Sequence, residues 1–250
     1  MKQPAKKIIK KLGYEIHKVD THAEFPIDFN KTDIEIIKSV KQFTLTSIER
    51  RFALIQAVNY IIKNKIAGDI VECGVWKGGS IMVTAKTLLE LKSYDKELYL
   101  FDTFEGMPKP TEFDVSYKDE LAIKEFEDRK IDNNSSDWSR IELDEVKKNV
   151  FSTGYNKEKF HFIKGKVEDT IPKNSPETIS ILRLDTDWYD STRHELIHLF
   201  PRLVKGGVII IDDYGFWKGA KKAVDEYFEE NNISILLNRI DTTGVIGIKM

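Results

Sequence analysis

Five aspartates stand directly after apolar segments of this 250-residue chain, and their type and position suit metal chemistry. Asp102 ends one segment, Asp185 and Asp187 follow a second, and Asp212 and Asp213 end a third. If these segments are parallel strands, their carboxyl ends meet at one sheet edge and the carboxylates converge there. Converging carboxylates raise one another's pKa unless a cation neutralises them. The pattern predicts a divalent ion on oxygen ligands, Mg2+ before Ca2+ or Zn2+, since no histidine has zinc-type spacing.

A glycine-rich segment, residues 68–80, is the predicted cradle for a small molecule. It joins a short apolar strand at 69–73 to a turn with three glycines at 74–79. Glycine lets the backbone bend sharply and lets a ligand approach without a Cβ in the way. Ser80 is predicted to cap a helix that begins at Ile81. A helix N-terminus at the carboxyl end of a strand is a typical ligand site in α/β sheets.

The residues around this turn favour an adenosyl ligand with positive charge over a dinucleotide. The order Gly-Val-Trp-Lys-Gly-Gly, which begins at Gly74, departs from the GxGxxG fingerprint. Glu72 precedes the turn, where an acid would repel a pyrophosphate and attract a cationic group. Asp102 ends the second predicted strand, where an acid accepts hydrogen bonds from ribose hydroxyls. The alternative is that Asp102 only caps its strand.

Strands and helices alternate from residue 46 onward, which predicts a doubly wound, mostly parallel α/β sheet. We expect an N-terminal arm with a short helix at 1–45 and one domain at 46–250. Residues 165–170 are predicted to form a loop. The predicted strands are 69–73, 97–102, 160–164, 179–185, 208–213, 233–237 and 244–249, and the predicted helices are 33–40, 46–65, 81–92, 143–152, 191–203 and 220–231.

Residues 105–140 interrupt this alternation with a turn-rich and then highly charged segment. A long insertion beside a site is either a disordered surface loop or a lid over the site. We favour a lid that orders with ligand, and Trp138 is its most informative aromatic residue.

Polar residues at the start of the helix at 46–65 leave two interpretations open. In the first interpretation these residues form a solvated face, and in the second some of them line the mouth of the ligand site. The residues are Thr46, Glu49, Arg50 and Arg51. The second interpretation follows from the position of this helix, which leads directly into the glycine-rich strand.

Composition narrows the class of protein. The formal net charge of -2 gives no electrostatic footprint for nucleic acid. Cys73 is the single cysteine, which excludes an internal disulfide and favours a reducing compartment. No apolar run approaches the roughly 20 residues that a transmembrane helix needs. We therefore expect a cytoplasmic protein, with the arm at 1–45 as the candidate element for assembly of a homo-oligomer.

Four motifs together resemble the S-adenosylmethionine-dependent methyltransferases of the macrocin O-methyltransferase type. They begin at Gly68 (Gly-Asp-Ile-Val-Glu-Cys-Gly-Val-Trp-Lys-Gly-Gly-Ser), Phe101 (Phe-Asp-Thr-Phe-Glu-Gly-Met-Pro), Leu182 (Leu-Arg-Leu-Asp-Thr-Asp-Trp-Tyr-Asp-Ser-Thr) and Gly206 (Gly-Gly-Val-Ile-Ile-Ile-Asp-Asp-Tyr-Gly). The resemblance implies a Rossmann-like class I methyltransferase fold, with a seven-stranded sheet and helices on both faces. It implies methylation of a hydroxyl on a sugar or glycoside. Residues 1–45 and 110–140 match poorly, which leaves the acceptor open.

The resemblance also implies site residues. Asp185, Asp212 and Asp213 would hold Mg2+, and Asp185 would also act as general base. S-adenosylmethionine would contact the following residues: Glu72, Gly74, Val75, Trp76, Gly79, Ser80, Asp102, Thr103, Phe104, Gly165, Lys166, Val167 and Asp185. Asp187 is a second candidate for the base.

Three other functions were weighed against this one. A catechol-like phenol could replace the sugar, but the catechol enzymes place a lysine near the first metal aspartate, where this chain has Trp188. A nucleotide-binding oxidoreductase fits neither the altered glycine pattern nor the clustered acids. A non-catalytic binding module would require that the acids be dispersed.

Overall fold

The computed structural model describes residues 25–250, so most of the predicted N-terminal arm lies outside the described residues. The part of the arm that is described packs on the domain, because Phe29, Ile37 and Val40 belong to its core. No helix within residues 25–250 is long and apolar enough to cross a membrane.

The described elements follow the predicted alternation. The helices are α1 (Lys31–Ser39), α2 (Ile48–Lys63), α3 (Gly79–Glu90), α4 (Ala122–Arg129), α5 (Leu143–Phe151), α6 (Val167–Thr170), α7 (Tyr189–Leu199) and α8 (Lys218–Glu230). The strands are β1 (Asp69–Cys73), β2 (Leu98–Asp102), β3 (Phe160–Lys164), β4 (Ile179–Leu184), β5 (Leu203–Ile211), β6 (Asn238–Arg239) and β7 (Val245–Ile248).

The strands form one seven-stranded sheet in the order β3-β2-β1-β4-β5-β7-β6. Strands β1 to β5 pair in parallel, and β7 runs antiparallel to both of its neighbours. The predicted mostly parallel sheet is confirmed. Strand order reverses between β1 and β4, and ligands of such sheets bind at the carboxyl edge of this switch point.

Apolar cores cover both faces of the sheet. On β1, Ile70 packs on the side of α2 and α3, and its neighbour Val71 packs on the side of α7 and α8. Burial of both faces explains why the central strands are nearly continuous apolar runs. Cys73 is fully buried in the second core, as expected for a structural thiol.

The prediction that Ser80 caps α3 is wrong. The helix begins at Gly79, and its N-cap is Gly78, which has a φ of 86°. A Cβ on Gly78 would lie 2.8 Å from Val150 Cγ2, so the turn packs closely against α5. Ser80 instead lies buried inside the first helical turn.

Three boundaries also differ from the predictions. Residues 165–170 contain the short helix α6, whose Val167 is buried against the sheet. Helix α7 ends at Leu199, and the chain passes through a 3-10 turn containing Pro201 before β5 begins. Proline interrupts a helix because its ring clashes with the preceding turn. Residues 233–237 are not a strand, and the sixth strand is the two-residue β6.

The insertion at 105–140 is folded in this structure. It contains α4, whose Phe126 is fully buried. Trp138 packs edge-on against Trp188 and Trp217, with ring centroids 5.5 and 6.3 Å away. The insertion therefore contacts the loops that follow β4 and β5. Its role as a lid stays a prediction.

Candidate active site

The glycine-rich turn lies directly against the loop that follows β4. Asp185 N donates a hydrogen bond to Cys73 O at 2.8 Å. Gly74 has a φ of 82°, and a Cβ there would lie 1.9 Å from Asp185 O. Only glycine accommodates both constraints. The predicted cradle and the predicted metal site are therefore neighbours.

Asp102 holds this turn with both of its carboxylate oxygens. Its Oδ2 accepts hydrogen bonds from Val75 N at 2.6 Å and Trp76 N at 3.1 Å. Its Oδ1 accepts one from Phe104 N at 2.7 Å. Asp102 therefore caps its own strand through Phe104 N and also holds the turn that follows β1. Asp102 also lines the cavity described below, and its contact with a ribose stays a prediction.

Three aspartates come together at the carboxyl edge of β4 and β5, as the sequence predicts. One oxygen each of Asp185, Asp212 and Asp213 lie within 4.8 Å of one another. Asp213 Oδ2 is buried and accepts no hydrogen bond in the described part of the chain, and the carboxyl group of Asp187 can bond to Asp213 only if the two share a proton. A buried carboxylate oxygen without a partner carries a large desolvation cost. A divalent cation on oxygen ligands fits this donor set, because it would supply the missing partner.

Arg183 is the buried cation beneath this cluster, and sequence reasoning missed it. Its side chain is 5% exposed. Its Nη1 lies 2.8 Å from both Glu72 Oε1 and Asp185 Oδ2, and its Nη2 donates to Asp212 Oδ1 at 2.6 Å. The available signal was a lone arginine in the apolar strand β4, which pairs in register with Glu72, an acid in the buried part of β1.

This contact changes the interpretation of Glu72. Burial raises the pKa of Glu72 to about 7, and the charge of Arg183 opposes that rise. Glu72 is predicted to attract a cationic ligand, whereas its carboxylate already pairs with Arg183 inside the protein. Glu72 still lines the cavity, so contact with a ligand stays a prediction.

Arg50 approaches the same cluster from α2. It donates to Asp212 Oδ2 and Thr243 Oγ1, and its Nε donates to Asp241 Oδ2 at 2.8 Å. Asp241 also accepts a hydrogen bond from Ser47 Oγ at 2.7 Å. These contacts join the start of α2, the end of β5 and the turn before β7. Both oxygens of Asp212 are therefore held by guanidinium groups, one from β4 and one from α2.

Each interpretation of the polar residues at the start of α2 is right for some of them. Thr46 and Arg50 line the cavity, as the ligand-mouth interpretation requires. Glu49 is exposed, as a solvated face requires. Arg51 fits neither, because it is buried and donates to Ile37 O at 2.9 Å.

Asp187 faces the cluster from the loop after β4. It has a φ of 69°, and its Oδ1 accepts a hydrogen bond from Trp217 Nε1 at 2.7 Å. Burial, and next the charge of Asp185, raise the pKa of Asp187 to about 7. Burial is also the largest cause of the raised pKa values of Asp185 and Asp213. Such a site favours bound protons or a bound cation.

One cavity of about 780 Å3 joins the turn, the carboxylate cluster and the insertion. Phe104 is predicted to contact S-adenosylmethionine, but it does not line this cavity. Its side chain is 1% exposed and packs in the core. The predicted residues that do line it are Glu72, Gly74, Val75, Trp76, Gly79, Ser80, Asp102, Thr103, Gly165, Lys166, Val167, Asp185, Asp212 and Asp213.

The sheet order, the glycine-rich turn and the carboxylates at the switch point define a Rossmann-like class I methyltransferase. The macrocin O-methyltransferase (TylF) family model matches residues 7–248. The chain belongs to the macrocin O-methyltransferase family and is an O-methyltransferase.

Two curated relatives and one solved structure illustrate the similarity. The chain is 31% identical over 202 residues to demethyldecarbamoylnovobiocin O-methyltransferase of Streptomyces niveus, covering 81% of this chain and 74% of that protein. It is 30% identical over 202 residues to 8-demethyl-8-(2,3-dimethoxy-alpha-L-rhamnosyl)-tetracenomycin-C 4'-O-methyltransferase of Streptomyces olivaceus, with coverages of 81% and 74%. The structure of the O-methyltransferase NovP is 31% identical and superposes with a TM-score of 0.73, covering 83% of this chain and 82% of that one.

Proposed function

We propose that this protein transfers a methyl group from S-adenosylmethionine to a hydroxyl of a sugar or glycosylated small molecule, in a Mg2+-dependent reaction. The observation that carries the proposal is that the predicted donor site and the predicted metal site lie next to each other. The turn at 74–79 and the carboxylates Asp185, Asp212 and Asp213 share one cavity. Transfer from a sulfonium is an in-line displacement, which requires donor and acceptor to be held side by side.

The turn and its neighbours are the proposed donor site. Gly74 brings the backbone close to the loop after β4, and Asp102 holds the amides of Val75 and Trp76 in place. Helix α3 begins at the cavity, where the partial positive charge of its N-terminus favours a carboxylate such as that of the methionine part. These features support a donor that carries both a cationic and an anionic group.

The three aspartates are the proposed ligands of Mg2+. Their oxygens cluster within 4.8 Å, and the orphaned Asp213 Oδ2 supports a cation at this position. A divalent ion bound there supplies a Lewis acid that lowers the pKa of an acceptor hydroxyl. Arg183 and Arg50 fix the carboxylate of Asp212 from two sides, so this ligand is positioned before a metal enters.

Asp185 is the proposed general base for the acceptor hydroxyl. It lines the cavity and lies against the turn that is assigned to the donor. Its Oδ2 lies 2.8 Å from Arg183 Nη1, and this positive charge favours the ionised carboxylate that can take up a proton. Asp187 is the second candidate, since it lies in the same cavity with a pKa raised to about 7.

A sugar hydroxyl is the proposed acceptor because the tetracenomycin relative is named for methylation at the 4' position of a rhamnosyl derivative. The insertion, which borders the cavity through Leu121 and Trp138, would complete the acceptor pocket and exclude water.

The test combines binding and turnover. Calorimetric titration is carried out with S-adenosylmethionine and with NAD, each in the presence of Mg2+ and in the presence of EDTA. We expect S-adenosylmethionine to bind and NAD not to bind. Methyl transfer is then measured with a panel of glycosides and catechols. We expect transfer to at least one glycoside in the presence of Mg2+, and no transfer in the presence of EDTA.

Contrary results are equally specific. Tight binding of NAD, or methyl transfer that persists in EDTA, would overturn the proposal. Transfer to catechols but to none of the glycosides would replace the sugar acceptor by a phenol and leave the rest intact.

A further inference from the structure

One buried carboxylate of the insertion reaches the loops that carry the site. Asp114, ahead of α4, is 1% exposed. Its Oδ1 accepts a hydrogen bond from Tyr189 N at 2.8 Å, and Tyr189 is the first residue of α7. Its Oδ2 accepts hydrogen bonds from Thr111 N at 2.7 Å and Thr111 Oγ1 at 2.9 Å. The carboxylate thus binds the insertion with one oxygen and α7 with the other.

Two helix N-termini converge on Asp114. The N-cap of α7 is Trp188, which makes no side-chain capping bond, so Asp114 supplies the cap from a distant part of the chain. Helix α8 begins at Lys218, and a Cβ on the next residue, Gly219, would lie 2.1 Å from Asp114 Oδ1. A helix N-terminus carries partial positive charge, which stabilises a carboxylate.

Both helices begin directly after the loops of the candidate site. Helix α7 starts two residues after Asp187, and α8 starts five residues after Asp213. Two backbone hydrogen bonds connect the insertion to the loop between β5 and α8. Lys218 N donates to Val115 O, and Tyr117 N donates to Phe216 O, at 2.8 Å each.

We propose that Asp114 is a positioning residue that fastens the insertion to both loops, so that closure over the cavity and placement of the carboxylates are set together. What the cavity does when it is closed rests on the proposed function, whereas the fastening itself does not. The inference therefore has a structural readout as well as a kinetic one.

The test uses three single variants, one double variant and a matched control. Asp114→Ala removes every acceptor, and Asp114→Asn keeps an acceptor for Tyr189 N but turns an amide N–H2 toward Thr111 N. Gly219→Ala displaces the carboxylate without changing its charge, because the new Cβ occupies its place. Glu112→Gln is the control, since Glu112 is an exposed acid of the same insertion that does not line the cavity.

Limited trypsin digestion of the full chain measures the fastening without turnover. Cleavage within 105–140 is expected to accelerate about tenfold in Asp114→Ala and Gly219→Ala, in line with the loss of a helix cap, and less in Asp114→Asn. Glu112→Gln is expected to match the wild type. The double variant of Asp114→Ala with Gly219→Ala is expected to be no faster than either single variant, because both break the same contact.

Kinetics then separate positioning from mere folding. With a glycoside acceptor, Asp114→Ala and Gly219→Ala are expected to lower kcat and raise the acceptor KM, by about tenfold in kcat/KM. The Kd of S-adenosylmethionine is expected to stay within twofold, because the turn at 74–79 is untouched.

Equal cleavage rates in the wild type, Asp114→Ala and Gly219→Ala would overturn the inference. Acceleration spread evenly along the chain would also overturn it, because it would show a general loss of stability. If the wild type transfers no methyl group to any acceptor, the proposed function fails, and the cleavage rates still decide whether Asp114 fastens the insertion.

Discussion

Charged groups at the sheet edge and charged groups of the insertion are held in opposite ways. At the sheet edge, the 5%-exposed side chain of Arg183 lies against three carboxylates. In the insertion, Arg129 pairs with Glu125 along one face of α4, and both side chains are about half exposed, at 50% and 46%. Both regions contain contacts between an arginine and carboxylates, but water screens the exposed pair far more than the buried cluster. Burial, rather than the number of ion pairs, therefore decides which charges matter to stability and function.

The largest effect is expected at the carboxylates of the proposed cation site. Asp185→Asn and Asp213→Asn are each expected to lower kcat by on the order of 10²- to 10³-fold, because each removes a negative ligand from the proposed cation site. The Kd of S-adenosylmethionine, measured by calorimetry, is expected to change by only a few fold. If Asp185→Asn keeps its activity, Asp185 is neither base nor ligand.

Removal of the buried guanidinium tests the sheet-edge side of the comparison directly. Arg183→Met leaves Glu72, Asp185 and Asp212 without their shared cation. The free energy of unfolding, measured by urea denaturation, is expected to fall by about 3–5 kcal/mol. A loss below about 1 kcal/mol would mean that the cluster is as well hydrated as the surface, and the contrast drawn here would not hold.

Another buried acid, Glu195 in α7, gives a pH-dependent test. It is fully buried, its Oε1 accepts from Thr186 Oγ1 at 2.9 Å, and burial raises its pKa well above the ordinary value. Above pH of about 4.3 the unfolded chain releases this proton while the folded chain keeps it, so stability falls as pH rises, by up to about 1.4 kcal/mol per pH unit. Glu195→Gln cannot ionise and is expected to flatten this slope.

Urea denaturation of both proteins between pH 4 and pH 8 measures the difference. The variant and the wild type are expected to be similar near pH 4, and the variant is expected to be the more stable at pH 8. Parallel pH profiles would show that Glu195 ionises in the folded protein as readily as in the unfolded one.

The smallest effect is expected in the insertion. Arg129→Ala breaks the exposed pair with Glu125, and the free energy of unfolding is expected to change by less than about 0.5 kcal/mol. Thermal denaturation at low and at high salt checks this, because salt screens what little the pair contributes. A loss comparable to that of Arg183→Met would remove the distinction between the two regions.

Most of the fold could be predicted from local patterns. Apolar runs such as Ile179–Leu184 end in acids, and this placed β1 to β4 within one residue and the shared carboxyl edge correctly. Strand β5 begins at Leu203, five residues before its predicted start. Errors fell where local signals are weak. Ser80 is a good capping residue, yet α3 begins earlier because Gly78 packs against α5. The two-residue β6 is held by pairing with β7, and pairing has no local signature.

The sequence by itself determined which acids reach the carboxyl edge, because strand polarity and the position of an acid after an apolar run are local properties. Only the tertiary structure decided which partner each acid meets. Arg183 contacts Glu72 across 111 residues of chain, and Asp114 contacts Tyr189 across 75. Such pairs depend on strand register and on the packing of loops, which arise when the whole chain is folded and buried charges must find partners.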